Sequence, residues 1–487
     1  MRIKLRTLLG VLASVLLLGW FGYNQLPSLL YYNGYSAAVL EWFPDSRYAK
    51  PAANELAYEY VDRIDSNGEN RIFISSLGWG LSGSGNAATT EQREAAAVKV
   101  EQLVKRYDSG HAMDDIHYRL AKHYFWSSQW EQAEKLLREL AGAVPGWEEE
   151  LEAYLNILQS RHERQDAKPS VEGVLRIGGS PVPNALVFLV EANAAGYYSN
   201  PFPQYPMTIT DGEGKYRFYD LKPKEYEAGV GLLPEQIAGY VLAEQPGQTF
   251  TAKKGVTASH DIDFHRQVQI VAPSRNEVVE GDEIAFHWEP YEGAAYYKLY
   301  MTTPFRGEDG EYSGGATAEL SDQHYTSTTV SYSLGELAGI SAGSSGKSFA
   351  KDGSAILLSS GLLGRLHPGG EFIWSVEAYD AEGRKLSSSA GHYLDQETAA
   401  PLFRISEQGM LEGDRLILQN KYEEAIAAYE EEGSDYALRV LARLAEQGIT
   451  QENGDAAEAL AYLRRLSAPL PQDLREIARL EEAVKKK

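Results

Sequence analysis

The sequence predicts a multidomain α+β protein, with α-helical hairpin repeats at both ends, two central antiparallel β-sandwiches and one N-terminal transmembrane helix. Three observations favour this fold class. An apolar run follows basic residues at the start, helical spacing of apolar residues flanks the centre, and the centre consists of short alternating runs separated by Gly and Pro turns. Single cores stop growing at about 250 to 300 residues, so a chain of 487 residues is expected to contain three or more domains.

Composition limits the classes of function. The formal net charge is −23, and nucleic acids require a basic surface, so no nucleic acid partner is expected. The chain has no cysteine, which rules out disulfides, thiolate metal sites and cysteine nucleophiles. Hydrophobic residues make up 43% of the chain and charged residues 24%, as is typical of folded domains.

Residues 1–24 are predicted to form a membrane anchor. Basic residues at positions 2, 4 and 6 precede an apolar run that ends in Trp20 and Phe21. An uncleaved signal-anchor is favoured, because no small-x-small cleavage site follows the run and the aromatic residues suit a membrane interface. A cleaved signal peptide is the alternative, since the run is shorter than the roughly 20 residues that span a bilayer. The expected localisation is a cell membrane of the bacterial envelope, crossed once, with the N-terminus cytoplasmic and the bulk of the chain outside.

A helical region with a Gly/Ser loop is predicted over residues 25–165. Small residues alternate with large apolar ones at the spacing of two antiparallel helices. These positions are Ala121, Tyr124, Trp130, Ala133 and Leu137. The pattern resembles a tetratricopeptide repeat, although His117 and Leu140 depart from it.

Two further segments repeat this pattern. Residues 43–49 resemble residues 107–112, which indicates a divergent internal repeat, with unrelated helices as the alternative. At the C-terminal end, 401–487, Tyr422, Ala425 and Tyr429 again follow the tetratricopeptide-like spacing. Solenoid helix pairs offer surfaces for partner segments. The alternative is helices that pack only on the β domains or on each other.

The first sandwich is predicted over residues 170–266. Runs of residues at 171–175 and 181–188 are followed by a Gly-rich turn at 211–214. This order of turns and strands resembles the carboxypeptidase regulatory-like (transthyretin-like) domain. The resemblance implies an accessory domain without chemistry of its own.

The second sandwich is predicted over residues 267–397 and resembles a fibronectin type III or related immunoglobulin-like domain. Trp288 and Tyr297 match core positions of that family, and Trp374 lies on a late strand. A long insertion at 303–365 departs from the family and could supply extra strands, a flap or a disordered loop. It contains a mixed apolar and Ser/Gly segment, and long insertions are often functional.

One loop carries candidate ligand-contact aromatics, interleaved with Asn and Pro. They are Tyr197, Tyr198, Phe202 and Tyr205. Aromatic faces beside hydrogen-bonding groups suit sugars or peptides. The alternative is a loop whose rings pack on the sandwich.

No catalytic, cofactor-binding or metal-binding residues are predicted. The ten histidines form no H-E-x-x-H pair, and the sequence around Gly346-Lys347-Ser348 has Ser341 where a phosphate-binding loop requires glycine. The sequence therefore predicts a non-catalytic, membrane-anchored extracytoplasmic scaffold that binds protein partners, with the sandwiches as spacers. The alternative is a carbohydrate- or cell-wall-binding surface protein that uses sandwich loops, with polysaccharide as its partner.

Overall fold

The structure is a computed structural model, and the predicted α+β class is confirmed. The chain divides into two compact units, unit 1 (Met1–Ile237 and Pro246–Asp263) and unit 2 (Ala238–Gln245 and Phe264–Lys487). The residues that the structure describes are 19–20, 23–64, 71–75, 78–81, 90–108, 112–141, 146–192, 202–243, 249–306, 312–321, 323–339, 347–349, 355–391, 401–449 and 454–486.

Unit 1 begins with helices. A helical segment at 23–32 precedes them. The helices are α1 (Ser36–Trp42), α2 (Ala49–Ile64), α3 (Thr90–Tyr107), α4 (Asp114–Trp126), α5 (Trp130–Leu140), α6 (Glu148–Gln159) and the short α7 (Pro234–Ile237).

Helices α4 and α5 form the hairpin predicted from the spacing of small residues. Ala121 and Ala133 are fully buried where the helices meet, and Trp130 and Leu137 fill the space beside them. The turn between the helices is tight, with Ser128 in the left-handed region at φ 62°.

Two sheets complete unit 1. The strands are β1 (Ile72–Ser75), β2 (Gly78–Leu81), β3 (Val171–Ile177), β4 (Ser180–Pro181), β5 (Leu186–Glu191), β6 (Met207–Ile209), β7 (Lys215–Phe218), β8 (Glu225–Leu232), β10 (Thr249–Thr251) and β11 (Ala258–Ser259). The first sheet has the order β2-β1-β8-β5-β6, with β10 on β8, and in the second β3 pairs with β4, β7 and β11. All these pairings are antiparallel except the parallel pair β3 and β11.

Strands β1 and β2 lie inside the region predicted as helical. Strand β1 is buried throughout and pairs with β8 in antiparallel register, Ile74 opposite Val230. Its Ile-Phe-Ile run has the β-branched and aromatic residues that favour a buried strand. The helical region and the first predicted sandwich therefore share a sheet.

One hydrophobic core joins the helices of unit 1 to the first sheet. Leu186 and Phe188 of β5 and Ile209 of β6 pack in the same cluster as Trp126 and Tyr154 of the helices. The predicted boundary at 165–170 falls between α6 and β3, inside this unit.

Unit 2 contains the second sandwich and the C-terminal helices. The strands are β9 (Tyr240–Leu242), β12 (Ile262–Arg266), β13 (Ile270–Ala272), β14 (Val278–Val279), β15 (Glu283–Trp288), β16 (Tyr296–Arg306), β17 (Tyr312–Glu319), β18 (Thr329–Ser333), β19 (Lys347–Phe349), β20 (Ala355–Leu357), β21 (Glu371–Tyr379), β22 (Lys385–Ser388) and β23 (Leu402–Ile405). The sheets have the orders β13-β15-β18 and β14-β23-β21-β16-β17, with β22 on β21, and β19 pairs with β20. Strand β12 begins in unit 1 with Ile262 and Asp263, and its residues 264–266, which belong to unit 2, pair with β9. The helices are α8 (Leu334–Gly339), α9 (Ser359–Leu363), α10 (Glu412–Leu418), α11 (Tyr422–Glu432), α12 (Asp435–Gln447), α13 (Ala456–Leu463) and α14 (Pro471–Lys486).

The two larger sheets of unit 2 share one core, as expected of a sandwich. Phe286 of β15 lies 5.0 Å, centroid to centroid, from Trp374 of β21. Trp288 lies 5.3 Å from Tyr297, so the three core positions predicted for this domain are all in the core. Part of the insertion at 303–365 supplies extra strands, because β17 extends the sheet beside β16.

The C-terminal helices have a buried polar centre at Asp414. Its carboxylate accepts hydrogen bonds from the Tyr429 hydroxyl at 2.5 Å, the Tyr436 hydroxyl at 3.1 Å and the Leu411 amide at 3.0 Å. Burial raises the pKa of Asp414, and these hydrogen bonds oppose that rise. The network fixes α10 against α11 and α12.

The predicted membrane anchor falls largely outside the described residues, since positions 1–18 and 21–22 are not among them. Of the helices that are described, none is both long and apolar enough to cross a bilayer. The anchor stays a prediction.

Each unit contains a buried histidine that makes stability depend on pH. Burial and the charge of Arg93 lower the pKa of His123 to about 4, and burial lowers the pKa of His367 to about 4. Both values lie below the ordinary value near 6.5, so the unfolded chain binds the proton first. The stabilisation is complete above about pH 6.5 and is lost as pH falls toward 4. We expect each histidine to lower the free energy of unfolding by about 2 kcal/mol between about pH 7.5 and about pH 5.

Urea unfolding at these two pH values tests this expectation. The His123→Gln and His367→Asn variants should each lose less stability on acidification than the native chain. The exposed His162 offers a matched control, and His162→Gln should behave as the native chain does. Parallel losses in native chain and variants would show that other groups cause the acid sensitivity.

Candidate functional site

The predicted ligand-contact loop is described only in part. Tyr197 and Tyr198 lie outside the described residues. Phe202 and Tyr205 are partly buried and pack against the helix and sheet core of unit 1.

Phe202 is surrounded by other rings. It stacks on Tyr154 of α6 at 4.2 Å, centroid to centroid, and meets Trp126 edge-on at 5.8 Å. One face of the Phe202 ring is therefore covered by the Tyr154 ring. In this arrangement the aromatic character of Phe202 serves the attachment of the loop to the helices.

A second arrangement lies in unit 2, where the insertion meets the C-terminal helices. Residues 355–363, here called the captured segment, comprise β20 and α9. Helix α9 lies against α10 and α12. The apolar side chains Leu357, Leu362 and Leu363 are buried in the same cluster as residues of α10 to α14. Burial of a Leu side chain stabilises by about 1.5 to 3 kcal/mol, so these contacts are substantial.

The helices also bind the main chain of the captured segment. The Leu357 amide donates to the Tyr422 hydroxyl at 2.8 Å. The Arg443 guanidinium donates to the Leu362 carbonyl at 2.8 Å, and the Gln447 amide donates to the Gly361 carbonyl at 3.4 Å. The face of α11 and α12 that carries Tyr422, Arg443 and Gln447 is here called the receiving surface.

The receiving surface contains a buried cation, Arg443. Burial lowers the pKa of Arg443, and the nearby charge of Arg439 lowers it further, whereas Tyr436 and Asp473 raise it. A buried guanidinium needs acceptors, because an unsatisfied buried charge is costly. The carbonyl of Leu362 supplies one.

The captured segment does not satisfy every polar atom at this contact. Within the described residues, Ser360 Oγ and Gln447 Oε1 are buried and have no hydrogen-bond partner. Each such group costs about 1 to 3 kcal/mol. An apolar side chain of similar shape at position 360 would therefore avoid this cost.

The described part of the chain contains no group of three or more His, Asp or Glu residues that could hold a metal ion. The chemistry available at the receiving surface is apolar contact and hydrogen bonding to main-chain groups. These contacts hold the captured segment by its leucines and by its main chain.

Sequence reasoning found only part of this site. The insertion was the region expected to matter, and Tyr422 was a predicted repeat position. Arg443 and Gln447 were missed. Their hydrogen-bond partners are 81 and 86 residues away along the chain, so no local spacing marks them.

The chain is similar to known proteins only over short stretches or at low sequence identity. No family model matches the chain. A stretch of 67 residues is 40% identical to the protocatechuate 3,4-dioxygenase beta chain of Burkholderia cepacia, and the match covers 12% of this chain. The chain spans only 28% of that protein's length, so its activity does not carry over.

Two solved structures are similar over about half of the chain. A DUF3823 family protein from Bacteroides ovatus is 12% identical, with a TM-score of 0.16, over 48% of this chain and 97% of that one. A DUF3823 family protein from Parabacteroides merdae is 12% identical, with a TM-score of 0.16, over 50% of this chain and 100% of that one. At TM-scores this low, neither structure supports a conclusion about fold or function.

Proposed function

We propose that the protein is a non-catalytic scaffold, attached to a membrane through residues 1–24 and exposed outside the cytoplasm, which binds partner proteins through tetratricopeptide-like helical pairs. The receiving surface of the C-terminal helices is the binding site. Its ligands are apolar chain segments that place leucines in the helix core and offer carbonyls to Arg443 and Gln447.

One observation carries this proposal. The receiving surface already holds a chain segment by its leucines and its main chain together. Main-chain hydrogen bonds combined with a few apolar anchors are a common way in which proteins bind short segments. The buried, unpaired Ser360 Oγ indicates that the resident segment is not the best ligand for this surface.

Attachment and localisation are supported by the sequence. Basic residues, an apolar run and aromatic residues follow one another over residues 1–24. The chain is strongly acidic, which favours contact of its body with water over contact with lipid.

A peptide-binding experiment tests the proposal. A fluorescent peptide with the sequence of residues 353–366 is titrated into the full chain and followed by anisotropy. In the native chain the tethered segment competes at an effective concentration of about millimolar, so weak binding is expected. In a chain with Leu362→Asp and Leu363→Asp, which releases its own segment, the peptide should bind tightly and saturably.

Two controls keep the result interpretable. The matched variant Leu362→Met with Leu363→Met retains an apolar segment and should bind the peptide as weakly as the native chain does. Adding Arg443→Met to the released chain should weaken binding by about ten- to a hundredfold, because the Leu362 carbonyl loses its charged donor. A peptide with Ala in place of Ser360 should bind about tenfold tighter than the natural sequence, since it buries no unpaired hydroxyl.

The Asp variants must keep the circular dichroism of the native chain. If they unfold, hydrogen exchange on Arg443→Met replaces them, and exchange at residues 355–363 should accelerate while α11 and α12 stay protected. A folded, released chain that fails to bind the peptide would show that the captured segment is only part of the core.

A further inference from the structure

A long stretch near the start of the chain carries no charge. No Asp, Glu, Lys or Arg occurs between Arg6 and Glu41, so residues 7–40 are 34 consecutive uncharged residues. At the average charged content of 24%, a stretch of this length would hold about eight charges. Residues 25–40 lie beyond the predicted anchor, so the anchor alone does not explain why charge is absent from them.

The described residues in and next to this stretch expose large aromatic side chains. We call this set the aromatic collar, and its members are Trp20, Tyr23, Tyr32, Tyr35 and Trp42. Tyr32 is 75% exposed and Trp42 is 58% exposed, whereas Trp126 and Trp130 of the same unit are buried. Large aromatic rings that are exposed repeatedly over so short a part of the chain indicate a surface that contacts something other than water.

Contacts to the folded part of unit 1 position the aromatic collar. The ring of Tyr23 meets the buried Phe43 edge-on at 5.0 Å, and the ring of Tyr32 lies 5.9 Å from Tyr48. The helical segment 23–32 therefore packs beside residues 43–48. The exposed Arg47 lies over the Tyr48 ring at 4.8 Å, which places a cation at the edge of the collar.

We propose that the aromatic collar lies in the headgroup region of a lipid bilayer and seats unit 1 directly on the membrane surface. Indole and phenol rings favour that region because they combine an apolar body with a polar N–H or O–H group. The absence of charge over residues 7–40 removes the cost of dehydrating ions there. Arg47 is placed to meet a lipid phosphate.

The chemistry selects neutral lipid over anionic lipid. With a net charge of −23, the protein is repelled by an anionic surface, so partition of the rings supplies the binding. The inference rests on the proposed attachment through residues 1–24, and it extends the membrane contact to Trp42. Unit 1 then meets the bilayer without a free linker.

Site-specific labels test this placement, since the chain has no cysteine of its own. Tyr32→Cys and Trp42→Cys are each labelled with a nitrobenzoxadiazole dye in the full chain and reconstituted into phosphatidylcholine vesicles. Both labels should shift to the blue and lose emission to doxyl-labelled lipid, with little change on raising salt. The control Leu474→Cys, at a position 56% exposed in unit 2, should lose emission only to aqueous iodide.

Vesicle flotation separates the ways in which this inference can fail. A chain that does not float with the vesicles contradicts both the attachment and the aromatic collar. A chain that floats, with labels at Tyr32 and Trp42 as open to iodide as the control, contradicts the collar alone. Labels shielded from iodide and from doxyl lipid alike would show a protein cover in place of lipid, and would also overturn the proposal.

Discussion

Replacing Arg71 with Met is expected to lower the free energy of unfolding of unit 1 by about 3 kcal/mol. The Arg71 side chain is fully buried and donates to the Trp126 carbonyl at 2.8 Å, the Gly231 carbonyl at 2.8 Å and the Ser128 hydroxyl at 2.5 Å. It thereby joins the turn of the α4 and α5 hairpin to strand β8. Methionine fills a similar volume but removes the donor from the two buried carbonyls of Trp126 and Gly231. The Ser128 hydroxyl is half-buried and also donates to the Asn184 carbonyl, so it loses less.

The cost of burying the Arg71 charge makes this loss of stability smaller. Burial lowers the pKa of Arg71 to about 9, which still leaves the guanidinium charged at neutral pH, so its desolvation is a cost that Met removes. Two buried carbonyls that lose their donor, at about 1 to 3 kcal/mol each, outweigh that relief. The free energy of unfolding of Arg71→Lys should lie between those of the native chain and Arg71→Met. A single ammonium group cannot reach all three acceptors that the planar guanidinium group contacts.

Urea unfolding of both variants measures the effect, with hydrogen exchange in β5 and β8 to assign it to unit 1. The exposed Arg138 pairs with Glu134 one turn away, so Arg138→Met should change stability by less than about 0.5 kcal/mol. If Arg71→Met were as stable as the native chain, the hydrogen bonds would merely cancel the cost of burying the charge.

The elements that sequence reasoning predicted well are those with a strong local pattern. Ala121 and Ala133 indicated the helical hairpin because only small residues let helices approach closely there. Trp288 and Trp374 indicated the sandwich core because large aromatic residues on alternating strands point inward. In both cases the residues that form the contact are also the residues whose type and spacing predict the element.

The elements that were missed depend on distant partners. Strand β1 has only four residues, too few to show a period, and its identity as a strand comes from pairing with β8, which lies far along the chain. Arg71 and Arg443 resemble ordinary surface cations in sequence, yet both are anchored by main-chain carbonyls that a single sequence does not reveal.

Breaking the buried ion pair between Arg439 and Asp473 is expected to cost about 3 to 5 kcal/mol for Arg439→Met. Arg439 of α12 donates to both carboxylate oxygens of Asp473 of α14, with the shortest distance 2.9 Å. The two side chains are only 11% and 6% exposed, so the charge that remains is buried and has lost its ion-pair partner. The variant Asp473→Asn should also lower the free energy of unfolding, because it leaves the buried Arg439 charge without its ion-pair partner.

The double variant, Arg439→Met with Asp473→Asn, should recover part of this loss. Neither charge is then present, and the amide oxygen that Asp473→Asn introduces can still accept from the Leu470 amide, which donates to Asp473 at 2.7 Å in the native chain. A double-mutant cycle in urea should therefore show coupling of at least about 1.5 kcal/mol. The exposed pair Arg464 and Glu481 is the matched control, with coupling below about 1 kcal/mol.

This ion pair also bears on the receiving surface. Arg439 and Arg443 are one turn apart on α12, so the contact with α14 helps to fix the helix that presents Arg443 to the captured segment. The single variants should accelerate hydrogen exchange at residues 355–363 as well as lower stability, and the double variant should restore protection there. Additive losses in the cycle, with exchange at 355–363 unchanged, would show that α14 only covers the helical core and has no part in holding the segment.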